Sequence, residues 1–128
     1  MGRNLLSSIA CLFRKRVHKA KKFVLSCKEG DFFVVECVKP GTYAVGRKMI
    51  ICYGGEFYED SDGLYWHSAK SKFMTNLYNE FRVGDFFGIN TEEFIVRKPT
   101  IKEMLFLMNE VKKNGYRYNR KTKILERH

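Results

Sequence analysis

The sequence predicts an α+β domain in three parts: a basic amphipathic helix (residues 1–29), a β-rich core (30–98) forming a small antiparallel barrel or rolled sheet, and a helix-hairpin tail (99–128) packed on that core. Three observations predict it. Apolar residues recur at helical spacing in the first thirty positions. Short β-branched and aromatic runs, cut by Gly, Asn and Asp turns, fill the middle. A capping box and an Asn-Gly stop bracket an apolar stripe near the end.

The first helix is capped by Asn4, and Leu6, Ile9, Phe13, Val17, Ala20 and Val24 form one stripe stepping by three or four. Arg14, Lys15, His18, Lys19, Lys21 and Lys22 occupy its other faces, and Gly30 suits a C-terminal cap. Such a helix has three uses: packing on the core, engaging phosphates or a partner's groove, or lying on an anionic membrane. The stretch Leu5–Phe13 is too short and too interrupted by Ser7-Ser8 for a secretory signal, and Leu6 occupies the position where a myristoylation motif needs Ser or Thr. No segment approaches the ~20 apolar residues of a membrane span.

The middle reads as a meander. Asp31–Val38 is a strand stopped by Lys39-Pro40-Gly41; Tyr43–Val45 and Lys48–Tyr53 follow, with Gly46 as a bulge. Gly54-Gly55 has the composition of a tight hairpin, Glu56–Glu59 returns, and Asp62-Gly63 turns into Leu64–His67. Phe73, Leu77 and Phe81, spaced by four, suggest a short helix or a loop over Lys70–Asn79. Glu80–Val83, Phe86–Ile89 and Glu92–Arg97 complete the strands, with Gly84-Asp85 and Asn90-Thr91 between them. Many short strands with frequent turns suggest an SH3-like or OB-like barrel, a class that often serves as a binding module.

Thr100-Ile101-Lys102-Glu103 is a capping box, in which the Thr hydroxyl and Glu carboxylate satisfy amides at the helix start. Ile101, Met104, Leu105, Met108 and Val111 are the expected buried stripe, and Asn114-Gly115 the stop. Tyr116–Tyr118 and Lys123–Glu126 then pair as a hairpin whose outward cations are Arg117, Arg120, Lys121 and Lys123. This tail, with Thr100–Glu103, Leu107, Lys113-Asn114-Gly115-Tyr116, Tyr118-Asn119 and Thr122-Lys123-x-Leu125-Glu126, resembles a C-terminal unit in small uncharacterised proteins of bacteriophages and mobile elements of gut bacteria. Tyr118 stands where those proteins usually carry Trp, and the basic first helix has no counterpart in them. The resemblance implies a phage-type accessory protein acting in the host cytoplasm or in the virion, and it brings no catalytic or binding residues.

Composition and charge narrow the function. At 128 residues, 45% hydrophobic and 30% charged with two prolines, the chain is neither a disordered tail, a collagen, a multidomain enzyme nor a multi-pass membrane protein. Residues 1–30 carry eight basic side chains against Glu29 alone, a balance of +7; residues 31–98 carry eight against ten, or −2; residues 99–128 carry eight against three, or +5. Charge polarised to both ends points to a polyanionic partner. The expected contacts are Arg14, Lys15, Lys19 and Lys22 from the first helix, and Arg117, Tyr118, Arg120, Lys121 and Lys123 from the hairpin, with Tyr118 offering a stacking face. The alternative is a virion or host-protein docking module that lays the Leu6–Val24 stripe into a partner.

Chemistry is sparse. Cys11, Cys27, Cys37 and Cys52 lack C-x-x-C spacing, as expected of buried thiols in a reducing compartment. His18, His67 and His128 make no zinc set with them, and no phosphate-loop, dinucleotide or nucleophile-elbow motif occurs. Neither a cofactor nor a small-molecule substrate is expected. The catalytic candidates are a Cys52–His67 pair and the acidic group Glu56, Glu59, Asp60 and Asp62, whose carboxylates suit either a divalent cation or glycosidic chemistry.

Overall fold

The computed structural model describes residues 19–41, 44–59, 66–90 and 94–128. Residues 19–26 are helical (α1). The strands are β1 (Phe32–Cys37), β2 (Lys48–Glu59), β3 (Trp66–Thr75), β4 (Phe81–Val83), β5 (Phe86–Asn90) and β6 (Phe94–Arg97). Helix α2 (Ile101–Lys113) and the hairpin β7 (Tyr116–Asn119) and β8 (Ile124–Arg127) close the chain. The Asn4 cap, the stripe up to Val17, Arg14, Lys15, the Asp62-Gly63 turn, Leu64-Tyr65 and Thr91 lie outside the described residues.

The six strands form one antiparallel sheet in the order β4-β3-β2-β1-β6, with β5 also on the outer side of β3. Strand β3 pairs with β5 through Trp66–Lys70 and with β4 through Phe73–Thr75. At the junction between them the Ser71 hydroxyl and amide both donate to the Asp85 carbonyl, at 2.8 and 2.9 Å. Among the described residues no pairing joins this edge to β6, so the expected barrel is instead an open sheet.

The reason lies in what covers the sheet. Successive residues of a strand point to opposite faces, and in β1 and β2 both faces are apolar. Phe33, Val35, Cys37, Met49, Ile51 and Tyr53 join Ala20 and Val24 of α1 on one face. Val34, Ile50, Cys52 and Phe73 join Leu107 and Val111 of α2 on the other. The result is a sheet sandwiched between two layers. The α1 residues Ala20 and Val24 are buried on the sheet, so that part of the stripe packs on the core rather than facing a partner.

Several local expectations change with their surroundings. Gly54-Gly55 is no hairpin: β2 runs straight through it, with register shifts against β3 between Cys52 and Phe57. A Cβ on Gly54 would lie 2.7 Å from the Lys70 carbonyl oxygen, so the pair marks a close backbone approach rather than a reversal. Ala44 and Val45 belong to a turn closed by the Arg47 amide on the Ala44 carbonyl, not to a strand, and Gly46 sits in that turn rather than in a bulge. Lys70–Thr75 is strand, so the spacing of Phe73, Leu77 and Phe81 is not helical. Gly30 does not cap α1, which ends at residue 26; it takes φ +89° in a β-turn closed by the Asp31 amide on the Lys28 carbonyl.

Helix α2 carries the expected capping box at Thr100 and Glu103 and stops at Asn114. Its buried residues are Glu103, Leu107 and Val111, spaced by four, while Ile101 and Leu105 face outward at 81% and 65% exposed. The inward arc is therefore displaced from the predicted stripe. Glu103 explains this: its carboxylate takes two hydrogen bonds from Arg97 of β6, at 2.7 and 2.8 Å, and a salt bridge from Lys48 of β2 at 2.6 Å. That charged anchor turns the helix so that Leu107 and Val111 face the sheet. Leu107→Ala should cost about 2–5 kcal/mol and Leu105→Ala less than about 0.5, measured by urea unfolding.

Candidate nucleic-acid interface

The C-terminal hairpin docks on the α2 face of the sheet through its tyrosines. The Tyr118 ring meets Phe73 at 4.9 Å and Phe32 at 5.9 Å between centroids, both edge-on, and Tyr116 meets Phe81 at 5.8 Å. Tyr118 is therefore a docking residue, and its ring is engaged by the sheet rather than offered outward. Burial first, then the neighbouring Cys52, raises its pKa, while the Cys52 thiol donates to the Gly30 carbonyl at 3.8 Å. Burial likewise pushes the Cys52 thiol up to about 11, leaving it a protonated core group at neutral pH.

The loop between β7 and β8 is held in place from three sides. Within it, the Asn119 side-chain oxygen accepts from the amides of Lys121 and Thr122, at 2.9 and 3.1 Å. Lys72 of β3 donates to the Lys123 carbonyl and pairs with Glu29 at 2.7 Å, tying the loop to the turn after α1. The hydrogen bond and charge of Lys72 hold the Glu29 carboxyl below its usual range. The Lys123 stem lies over Gly30, where a Cβ would stand 2.8 Å from a flexible side chain able to shift, and it is the φ of +89° that favours glycine there.

Two clefts flank this anchored loop and adjoin at Lys123. The first, about 710 Å³, lies between the C-terminal end of α1, the start of α2 and the loop, with Lys98, Arg120 and Lys123 among its walls and, among the described residues, the single acid Asp31. The second, about 480 Å³, runs between the hairpin and the β2–β3 pair, with Lys70, Lys72, Lys123 and Arg127 against Glu29 and Glu56. Among the described residues, six cationic and three acidic side chains thus line the two clefts, which share Lys123. Arg120 stands 5.5 Å from the Phe32 ring and Arg127 5.4 Å from Tyr116, so aromatic faces rather than carboxylates hold these two guanidiniums.

The expected contacts divide accordingly. Arg120 and Lys123 line the clefts, and Lys121 is exposed on the same loop. Arg117 is exposed but pairs with Glu126 across the hairpin at 3.4 Å. Lys19 and Lys22 are exposed on α1, and helical spacing places them on the side that continues to Ser26, which lines the first cleft. Lys70, Lys72, Lys98 and Arg127 were not anticipated. Lys70 and Lys72 stand two apart on a strand, a spacing that carries a signal only once the segment is known to be strand rather than helix or loop.

The Cys52–His67 pair does not assemble, and of the acidic group Asp60, Asp62 and the Glu59 side chain lie outside the described residues. Cys52 pairs with Phe73 in the β2–β3 register, six residues along β3 from His67, which is about 20 Å at the rise of a strand. Glu56 accepts the Tyr58 hydroxyl at 2.7 Å, and among the described residues no group of three His, Cys, Asp or Glu side chains is placed to hold a metal ion. No helix among the described residues is long and apolar enough to cross a membrane. Searches of protein-family models, curated proteins and solved structures found no match to this chain.

Proposed function

We propose that this chain is a non-enzymatic nucleic-acid-binding module, an accessory protein of the phage or mobile-element kind, that holds phosphates along the two clefts beside the C-terminal hairpin. The observation that carries the reading is the excess, among the described residues, of six cations over three acids in two clefts that share Lys123 beside an anchored loop. A fixed loop loses little conformational freedom on binding, so the attraction of its cations for phosphate is not spent on ordering it. The contacts are to the backbone, so the affinity follows charge rather than sequence.

Fluorescence anisotropy with DNA and RNA oligonucleotides tests this. For about five phosphate contacts on a single strand, affinity should fall about a hundredfold between roughly 50 and 200 mM salt. Arg120→Ala should weaken binding to all sequences alike and lower the salt slope by about 0.7. An absence of binding at low salt, or a slope unchanged by Arg120→Ala, overturns the reading.

A further inference from the structure

Beyond the hairpin, the sheet face on which it docks continues without a covering element among the described residues. Phe57, Ala69 and Phe87 are in register across β2, β3 and β5 and point into the α1-side core. Their neighbours Tyr58, Lys70 and Phe86 therefore point to the hairpin side. There Tyr58 and Phe86 are 47% and 58% exposed, with ring centroids 6.0 Å apart, and the Lys70 ammonium lies 5.9 Å from the Phe86 ring. Two adjacent aromatic rings lie open on a sheet surface, next to the lysine that begins the second cleft.

We infer that this surface is a stacking platform for single-stranded nucleic acid, with bases on Tyr58 and Phe86 and the backbone led by Lys70 into the cleft of Lys72, Lys123 and Arg127. The inference rests on the phosphate-binding reading and adds the class of ligand. A base stacks on an aromatic ring only when its own face is free, and in a duplex both faces are taken by neighbouring pairs. The cations point the same way. They line a recess rather than crown a ridge, and a flexible strand follows a recess into which a rigid duplex cannot bend without cost. The arrangement combines the two elements that bind single strands without sequence preference: a positive groove and a row of π-faces.

The test compares three probes of equal length, about twelve nucleotides: oligothymidylate, the same backbone with abasic sites, and a duplex. The full chain should bind oligothymidylate at least about fivefold more tightly than the abasic strand, the effect of one stacked base. It should also prefer oligothymidylate to the duplex. The double variant Tyr58→Ala with Phe86→Ala should bring oligothymidylate down to the abasic level while leaving abasic affinity and its salt slope unchanged. Both side chains are largely exposed, so matched thermal unfolding checks that the variant is folded. Equal binding of oligothymidylate and abasic strand, or a double variant that keeps the preference, overturns the platform and leaves phosphate binding standing. Failure of all three probes to bind at low salt overturns both.

Discussion

Phe33→Ala and Phe73→Ala should each destabilise the protein by about 3–5 kcal/mol, although the two rings lie on opposite faces of the sheet. Both are fully buried. Phe33 sits on the α1 side, with edge-on ring contacts to Phe23, Tyr53 and Phe87 at 6.3, 5.7 and 5.7 Å. Phe73 sits on the other side, against Phe32, Phe81 and Tyr118. Removing either ring loses its transfer free energy and opens a cavity that the neighbouring rings, fixed by their own strands, fill only in part. Against a total stability of about 5–15 kcal/mol, either loss is a large fraction. Phe86→Ala, at an exposed position on the same sheet, should change stability by less than about 0.5 kcal/mol. Guanidinium unfolding of the three variants checks this; a small cost at Phe33 or Phe73 would show that the layer over that ring is not a core.

The same two faces explain which parts of the fold could be read from the sequence. The C-terminal quarter is legible because its signals are local: a Thr hydroxyl and a Glu carboxylate three residues apart, an Asn-Gly stop, and two short strands after it. The open sheet is not, though the cue is present. Phe32–Val35 and Met49–Tyr53 are apolar at every position, the pattern of strands covered on both faces, whereas half-exposed strands alternate. Gly54-Gly55 misled because glycine serves a tight turn and a close approach equally well, and only the Lys70 carbonyl opposite decides between them. The buried arc of α2 was displaced because Glu103, readable as a cap, also answers to Arg97 and Lys48 on two separate strands. At the interface the sequence marks Arg120 and Lys123 as outward cations of a basic hairpin. The convergence of Lys98, Lys70 and Lys72 on them depends on where that hairpin docks, and the docking is set by rings as far back as Phe32.

The charged anchor beneath α2 makes the second large prediction. Glu103 is 5% exposed, and its carboxylate accepts from Arg97, Lys48 and the Thr100 amide, while Arg97 also reaches Glu36 of β1 at 2.8 Å. Arg97→Met removes the bidentate partner and leaves the buried carboxylate with Lys48 and the cap. Stranding one member of a fully buried pair costs about 3–5 kcal/mol. Arg97 is 32% exposed and Lys48 remains, so the expected loss here is about 2–3 kcal/mol. Lys48→Met, at a 40% exposed side chain, should cost about 1 kcal/mol or less. The pH dependence follows from the same contacts. The hydrogen bonds from Arg97 foremost hold the Glu103 carboxyl well below the usual carboxylate range in the folded protein. A group with a depressed folded pKa contributes its stability above its unfolded value, about 4.3, and loses it as the pH falls further. Unfolding free energy should therefore decline from about pH 5 toward pH 2 in the unmodified chain. In Arg97→Met it should start lower and decline less steeply, because the carboxylate has already lost the partner that favoured its charge. Urea unfolding across that pH series measures both slopes. Parallel slopes in the two proteins would show that Arg97 does not set the acid response.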